Sequence, residues 1–448
     1  MRQKIAIASL AMGALLAVYQ SHADVKPDDV TRNWPQWRGP LASGVAPNSN
    51  PPLDWSETKN VKWKIAVPGA GSATPVVWGD RIFVLSAVPA GTAPKPADDA
   101  AAGGQGARRG NIMPTQPQQF TVFAIHRKDG KVLWQKVVRE QIPHESTHPT
   151  GTWASGSAIT DGTNVYAYFG SFGLYCLDMN GRLLWEKDLG DMTIKNGFGE
   201  GSSPVLAGDR ILVNWDHEGD SFIVALDKKT GKELWRTPRE EKTAWATPLV
   251  VEGGGKTQVV TSATGKVRSY DVENGKLLWE TKGMTPNTIP SPVAGDGMLY
   301  VMSGFRGNAL LAIKLSAATG DISESPAIVW KYDRDTPYVP SPLLYGGELY
   351  MLKSNNGFLT AFDAKSGEKL YGPERLDAVP NVYASPVGAA GRIYIVGREG
   401  GAAAVARGKE FKVLATSTLD DGFDASPAIV DNELYLRGRK FLYRISKD

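Results

Sequence analysis

Asp216, His217 and Glu218 stand next to one another in the chain and are candidate metal ligands. Their carboxylate oxygens and imidazole nitrogen are ligand types that bind cations, and Glu200 can add a further oxygen from a neighbouring segment. Adjacent residues at the end of a strand point in different directions, however. A solvated, hydrogen-bonded turn is therefore the alternative interpretation.

Two aromatic and two basic residues are candidates for ligand binding. Trp153 and Trp245 do not belong to the repeated motif described below, and together they can sandwich a flat ligand. Arg306 and Arg398 can hold carboxylates through paired hydrogen bonds. The alternatives are packing for the tryptophans and ordinary exposed loop positions for the arginines.

An internal repeat predicts the elements that position these residues. A Ser/Thr-Pro step recurs, mostly at spacings of 41 to 50 residues, at Thr74, Ser203, Thr247, Ser291, Ser341, Ser385 and Ser426, with Ser157-Ala158 as a variant. A tight turn and an alternating apolar strand follow each step, as in residues 208–213. This is the pattern of a β-hairpin.

A second motif, Ala-x-Asp-x-x-x-Gly-x-x-x-Trp, ends most repeats. Its fullest copy spans residues 225–235, and others span 124–134, 176–185, 269–279 and 361–371. The glycine supplies the positive φ of a turn, and the tryptophan can fill the space between adjacent sheets. The fifth copy has a longer turn before Trp330, and in the seventh copy we assign the tryptophan position to Lys412.

Four strands in each repeat of roughly 44 residues predict an all-β fold, an eight-bladed β-propeller of four-stranded antiparallel blades over residues 61–448. The last repeat ends without its closing strand, which residues 61–65 can supply from the other end of the chain. Closure by this N-terminal strand removes an open sheet edge. Residues 88–118 interrupt the first blade with few apolar side chains and predict a flexible insertion.

Loops between blades, and between the second and third strands of a blade, lie on one face of such a propeller. Glu200, Trp153, Trp245 and Asp424 fall in the first kind of loop, and residues 216–218, Arg306 and Arg398 fall in the second. We therefore expect all of them around the mouth of the central channel. Variable loops on a rigid scaffold are where function concentrates.

The first residues and the cysteine content predict the compartment. Arg2 and Lys4 precede a short apolar run, and small residues flank a cleavage site after Ala23. Residues 1–23 therefore predict a signal peptide and a periplasmic or secreted protein, with residues 24–60 as an N-terminal extension.

Cys176, the single cysteine, is far from this site, so we expect no lipid anchor and no disulfide. The net charge of +3 predicts no nucleic-acid partner, and no segment predicts a membrane span.

The repeated Ser-Pro step and tryptophan motif resemble the tryptophan-docking repeat of pyrroloquinoline-quinone (PQQ) propellers. That repeat family includes calcium- and PQQ-dependent alcohol and sugar dehydrogenases, and also a cofactor-free lipoprotein that helps to assemble outer-membrane barrels. Residues 33–40, Asn-Trp-Pro-Gln-Trp-Arg-Gly-Pro, resemble the leader of exported bacterial PQQ-like repeat proteins. The chain departs from several of the alcohol dehydrogenases because it cannot form their disulfide between adjacent cysteines, and it has no Cys-x-x-Cys-His haem motif.

Two functions follow from this resemblance. The first is a non-enzymatic binding or scaffold protein of the cell envelope that takes a protein, a peptide or a glycan at the loop-rich face. The alternative is a PQQ- and calcium-dependent dehydrogenase that oxidises a sugar or an alcohol. For that enzyme, Asp424, Glu200 and Asp216 are the candidate general bases, Trp153, Trp245, Arg306 and Arg398 the candidate quinone-binding residues, and residues 216–218 the candidate calcium ligands.

Overall fold

The computed structural model describes residues 27–91 and 110–447. These residues form eight antiparallel sheets whose first strands contact one another around a central channel, so the predicted eight-bladed propeller is confirmed. Helical structure in this part of the chain is limited to α1 (Pro27–Thr31) and three 3-10 turns, Gly170–Phe172, Lys195–Gly197 and Leu315–Ala317. None of the described helices has the length and apolar character needed to cross a membrane. The predicted signal peptide, residues 1–23, lies outside the described residues.

The first four blades follow one another in chain order, from the inner strand to the outer strand. Blade 1 consists of β2 (Val76–Trp78), β3 (Arg81–Pro89), β4 (Gln118–His126) and β5 (Val132–Gln141). Blade 2 consists of β6 (Ile159–Thr160), β7 (Asn164–Tyr168), β8 (Leu174–Asp178) and β9 (Leu183–Lys187). Blade 3 consists of β10 (Val205–Ala207), β11 (Arg210–Trp215), β12 (Phe222–Asp227) and β13 (Glu233–Pro238). Blade 4 consists of β14 (Leu249–Gly253), β15 (Lys256–Ser262), β16 (Val267–Asp271) and β17 (Leu277–Thr281).

The next three blades repeat this order. Blade 5 consists of β18 (Val293–Gly295), β19 (Met298–Ser303), β20 (Ala309–Lys314) and β22 (Ile328–Tyr332). Blade 6 consists of β23 (Leu343–Tyr345), β24 (Glu348–Leu352), β25 (Phe358–Asp363) and β26 (Lys369–Arg375). Blade 7 consists of β27 (Val387–Ala389), β28 (Arg392–Val396), β29 (Gly401–Ala406) and β30 (Val413–Thr418). The long turn of blade 5 adds β21 (Gly320–Asp321), which pairs in parallel with β17 as a fifth strand of blade 4.

Blade 8 joins the two ends of the chain. Its first three strands are β31 (Ala428–Val430), β32 (Glu433–Arg437) and β33 (Phe441–Ser446), and its outer strand is β1 (Val61–Ala66). The pairing runs antiparallel from Val61 opposite Ile445 to Ala66 opposite Phe441. The N-terminal closing strand is therefore present, and it covers the edge of β33.

The repeated tryptophans link each blade to the next. In five blades the indole nitrogen donates to a backbone carbonyl in the next blade's turn at 2.9 to 3.1 Å, from Trp63, Trp134, Trp185, Trp235 and Trp330. Trp279 precedes the blade with the long turn and donates instead to Gln258 Oε1 of its own blade. The five indoles that donate to the next blade also pack on its turn glycine, as Trp185 does on Gly231.

The seventh repeat corrects one sequence assignment. Ala415, and not Lys412, is paired opposite Ala404, which is the register that Trp235 has opposite Ala225. The turn before β30 is longer than the motif allows, so counting residues from the glycine led to the wrong position. Phe411, within that longer turn, packs against Tyr371 of blade 6, with ring centroids 5.7 Å apart.

The two ends of the predicted insertion are ordered parts of the blade. β3 reaches Pro89 and β4 begins at Gln118, where these two residues pair. Residues 110–117 approach the loop after blade 1, since Ile112 bridges Thr147 and the Asn111 amide donates to Ser146 Oγ at 3.0 Å. Residues 92–109, the centre of the predicted insertion, lie outside the described residues.

Candidate functional site

A pocket of about 410 Å³ occupies the mouth of the central channel on the loop-rich face. The loops between blades form the rim of this pocket. Five side chains with aromatic rings line the pocket: His148, Phe198, Trp245, Tyr338 and Tyr383. Its volume lies within the range of about 300 to 1,000 Å³ that is usual for small-molecule sites. We call this space the mouth pocket.

A ring of serine and threonine residues surrounds the channel, and seven of its eight members line the mouth pocket. In seven of the eight blades the backbone N–H of the Ser/Thr-Pro step donates to the hydroxyl of the same step in the next blade, at 2.8 to 3.0 Å. We call this ring the hydroxyl collar, and its members are Thr74, Ser157, Ser203, Thr247, Ser291, Ser341, Ser385 and Ser426. The hydroxyl of Thr74 meets no hydrogen-bond partner among the described residues, and it lies where the first blade follows the last.

The segment before the closing strand crosses the channel beneath the collar. Trp34 pairs with Val77 of blade 1, and Val45 pairs with Gly388 of blade 7. Between them, Arg38 is buried and donates to the carbonyls of Pro342 and Pro386, both at 2.7 Å. The channel is therefore closed on the side of the tight turns.

Trp37, next to Arg38 in this crossing segment, lines the mouth pocket together with the hydroxyl collar. Its indole is half-buried and supplies an aromatic surface at the inner end of the pocket. The mouth pocket is thus a blind-ended cavity that opens on the loop-rich face.

Asp424 lines the mouth pocket but is neutralised by two arginines. Its Oδ1 accepts from Arg398 Nε at 2.5 Å, and its Oδ2 accepts from Arg439 Nε at 2.8 Å. The guanidinium of Arg398 also lies 4.1 Å above the ring of Tyr383. Both oxygens of this carboxylate are therefore occupied by guanidinium donors.

Glu200 lines the mouth pocket and also a small cavity of about 30 Å³ between blades 2 and 3. Its two carboxylate oxygens accept from the backbone N–H and the hydroxyl of Ser171, at 2.8 and 2.6 Å. Burial raises the pKa of Glu200 to about 7, although both bonds from Ser171 act in the opposite direction. The carboxylate lies directly over Gly170, where a β-carbon would overlap with it.

Asp216 lies away from the mouth pocket. It faces the small cavity, and its carboxylate forms a buried two-bond ion pair with Arg239 at 2.7 and 2.9 Å. Arg239 also donates to Thr261 Oγ1 and to Tyr270 Oη of blade 4. This network joins blade 3 to blade 4, and both oxygens of Asp216 are bonded to Arg239.

The side chains of Asp216, His217 and Glu218 do not converge as metal ligands would. His217 Nδ1 accepts from the backbone N–H of Thr193 at 3.0 Å, and Glu218 Oε1 accepts from the hydroxyl of Thr243 at 2.8 Å. Within residues 27–91 and 110–447 there is no group of three or more His, Cys, Asp or Glu placed to hold a metal ion. The three residues act as hydrogen-bonding groups of a strand-end turn.

The structure brings together the two candidate tryptophans but not the two candidate arginines. Trp245 lines both the mouth pocket and the small cavity, and its indole donates to the Gly199 carbonyl at 2.7 Å. Trp153 lines the small cavity but not the mouth pocket and donates to the Glu145 carbonyl. The cavity that the two tryptophans share, about 30 Å³, is far smaller than a usual small-molecule site. Arg306 is exposed and lies 5.3 Å from the ring of its neighbour Phe305.

Sequence reasoning missed the collar hydroxyls and Trp37 as pocket residues. The Ser/Thr-Pro step was visible as a repeat, but a sequence does not show that its hydroxyls face inward and bond to one another. Trp37 belongs to residues 33–40, whose sequence indicates a family resemblance but not a place in the channel. The path of this segment across the channel is what brings the Trp37 indole into the mouth pocket.

The comparisons with known proteins agree with this architecture. The sequence profile of the family described as outer membrane protein assembly factor BamB matches residues 53–214, 118–287 and 219–447. BamB of Yersinia pestis is 24% identical over 347 residues, which are 72% of this chain and 81% of that protein. The quinoprotein ethanol dehydrogenase of Pseudomonas putida is 26% identical over 186 residues, but these are 37% of this chain and 29% of the enzyme.

A solved structure gives the same result for the fold. BamB from Moraxella catarrhalis superposes with a TM-score of 0.58 at 14% identity, covering 87% of this chain and 97% of that one. At this identity the likeness concerns the fold alone. Because the family profile matches residues from 53 to 447, across nearly the whole propeller, the chain belongs to the BamB family of PQQ-like repeat propellers.

Proposed function

We propose that this protein is a non-enzymatic binding or scaffold propeller of the cell envelope, and that it binds its partner at the loop-rich face. The observation that carries the proposal is the state of two of the three candidate general bases, Asp424 and Asp216. Asp424 is held by two arginines and Asp216 by Arg239, so both carboxylates are paired with cations. General-base catalysis needs a proton acceptor within reach of the substrate and free to take a proton.

The mouth pocket does not fit PQQ and calcium. PQQ carries carboxylates that need cationic partners, yet no lysine or arginine is among the described residues that line the pocket. Arg398 is directed at Asp424, and Arg306 is exposed on the rim. The chemistry of the lining therefore supports binding without this cofactor.

Relatives named as outer membrane protein assembly factors support the envelope location and the role of a scaffold. The predicted signal peptide over residues 1–23 is consistent with that location. The mature protein would then act outside the cytoplasm. The crossing segment closes its tight-turn face, so a partner would bind at the open loop-rich face.

The test is a dye-reduction assay of the purified mature protein, supplied with PQQ and calcium, across a panel of alcohols and aldoses. We expect no turnover above that of a control propeller without enzymatic activity. PQQ-dependent turnover that is abolished by Asp424→Asn or Glu200→Gln would overturn the proposal. Calorimetric titration with PQQ, in the presence and absence of calcium, should show no binding.

A further inference from the structure

We infer that the mouth pocket binds a short, uncharged saccharide. The inference rests on the proposed function and specifies the class of ligand that the loop-rich face accepts. Three features of the pocket support it: the hydroxyl collar, the aromatic surfaces at its two ends, and the compensation of its charges.

The hydroxyl collar offers both donors and acceptors to a ligand. A serine or threonine hydroxyl has one proton to donate and two lone pairs. In seven collar members one lone pair is occupied by the N–H of the preceding blade, which fixes the oxygen in place. The proton and the second lone pair remain for the channel. This paired donor and acceptor capacity, repeated around a ring, matches the hydroxyl groups of a sugar.

Aromatic rings lie above and below the collar. Trp37 lies at the closed inner end, and Trp245, Tyr338 and Tyr383 surround the opening. The face of a pyranose ring that carries C–H groups packs well against an aromatic ring, while its hydroxyls point sideways. A pocket with aromatic ends and a hydroxyl wall satisfies both parts of such a ligand.

The charges of the pocket favour a neutral ligand. Asp424 is compensated by Arg398 and Arg439, and burial raises the pKa of Glu200 to about 7. No described lysine or arginine lines the pocket. No lysine or arginine of the described lining would balance an anionic ligand, whereas an uncharged polyol leaves the ion pairs of Asp424 intact.

The experiment is calorimetric titration of the mature protein with maltose, cellobiose and the disaccharide of N-acetylglucosamine, and with citrate as an anionic comparison. We expect one of the disaccharides to bind and citrate not to bind. Absence of binding by every disaccharide at millimolar concentration would overturn the inference, and so would binding of citrate alone.

Two variants locate the site. Tyr383→Ala and Trp37→Leu should each weaken disaccharide binding at least tenfold. The matched control is Tyr345→Ala, because Tyr345 is also half-buried under an arginine, with Arg407 at 5.3 Å, but lies at the end of β23, next to a tight turn on the opposite face. Each variant must keep the circular dichroism spectrum of the parent protein. Disaccharide binding that neither pocket variant weakens would overturn the inference.

The two proposals fail separately. Absence of saccharide binding together with absence of dye reduction removes the saccharide but not the binding function. PQQ-dependent turnover removes the binding function itself, whichever sugars bind.

Discussion

The contact between a docking tryptophan and the turn glycine of the next blade allows a sharp test of what holds the ring together. Gly231 has φ +69°, and a β-carbon built on it would lie 2.7 Å from Cε3 of Trp185. Trp185 donates to the Lys228 carbonyl in the same turn at 3.1 Å. Gly231→Ala therefore introduces backbone strain and also displaces the indole. Gly255, with φ +76° and nothing within 4 Å of its β-carbon position, offers the matched control in an exposed turn.

The left-handed conformation costs a residue with a β-carbon about 1 to 2 kcal/mol, and this is the whole expected cost of Gly255→Ala. Gly231→Ala adds overpacking, typically about 1 to 3 kcal/mol, and the loss of one hydrogen bond, about 1 kcal/mol. We therefore expect Gly231→Ala to lower the free energy of unfolding by about 3 to 6 kcal/mol, measured by chemical denaturation with far-ultraviolet circular dichroism.

A double-mutant cycle completes the test. In a Trp185→Ala background the indole is gone, so Gly231→Ala should cost only as much as Gly255→Ala does in the parent protein. The coupling free energy between Trp185 and Gly231 should then be about 2 to 4 kcal/mol, the sum of the overpacking and hydrogen-bond contributions. Equal costs for the two glycine substitutions, or additive costs in the cycle, would refute the docking role.

Three further predictions concern buried charge and closure. Between pH 4.5 and about 7 the folded state holds a proton on Glu200 that the unfolded state has released, so stability should fall as the pH rises through this window. Glu200→Gln should flatten that dependence by about 2 to 3 kcal/mol between pH 5 and pH 8, measured by urea denaturation; identical pH profiles would contradict the assignment. Arg239→Leu should destabilise by about 3 to 5 kcal/mol because Asp216 loses its buried partner, and adding Asp216→Asn should recover part of the loss; no recovery in thermal unfolding would argue against the ion pair. Removing residues 24–66 should leave the edge of β33 open and produce aggregated or oligomeric protein in analytical ultracentrifugation, and a monomer with an unchanged melting temperature would refute closure by β1.

Most of the fold could be predicted from the sequence because each repeat is recognisable from patterns of neighbouring residues. Alternating strands, turn glycines and the tryptophan motif each depend on a few neighbouring residues, and eight copies in series predict the ring. The missing last strand pointed to residues 61–65 in the same way. The one error of register, at Lys412 and Ala415, arose where a longer turn broke the local count.

The candidate site was harder because its residues belong to different repeats. Trp153 and Trp245 occupy similar loops and both line the small cavity, but only Trp245 also lines the mouth pocket. Asp216 turns toward Arg239, which lies 23 positions further along the chain. The direction of a side chain at the end of a strand depends on which distant residue forms an ion pair or a hydrogen bond with it.

The sequence by itself therefore determined the blades, their number and the closure of the ring, because these follow from short-range periodicity and from turn residues. Only the tertiary structure decided what the channel contains. It placed Trp37 at the inner end and linked eight distant serine and threonine residues into one collar, since both depend on contacts between segments that are far apart in the chain.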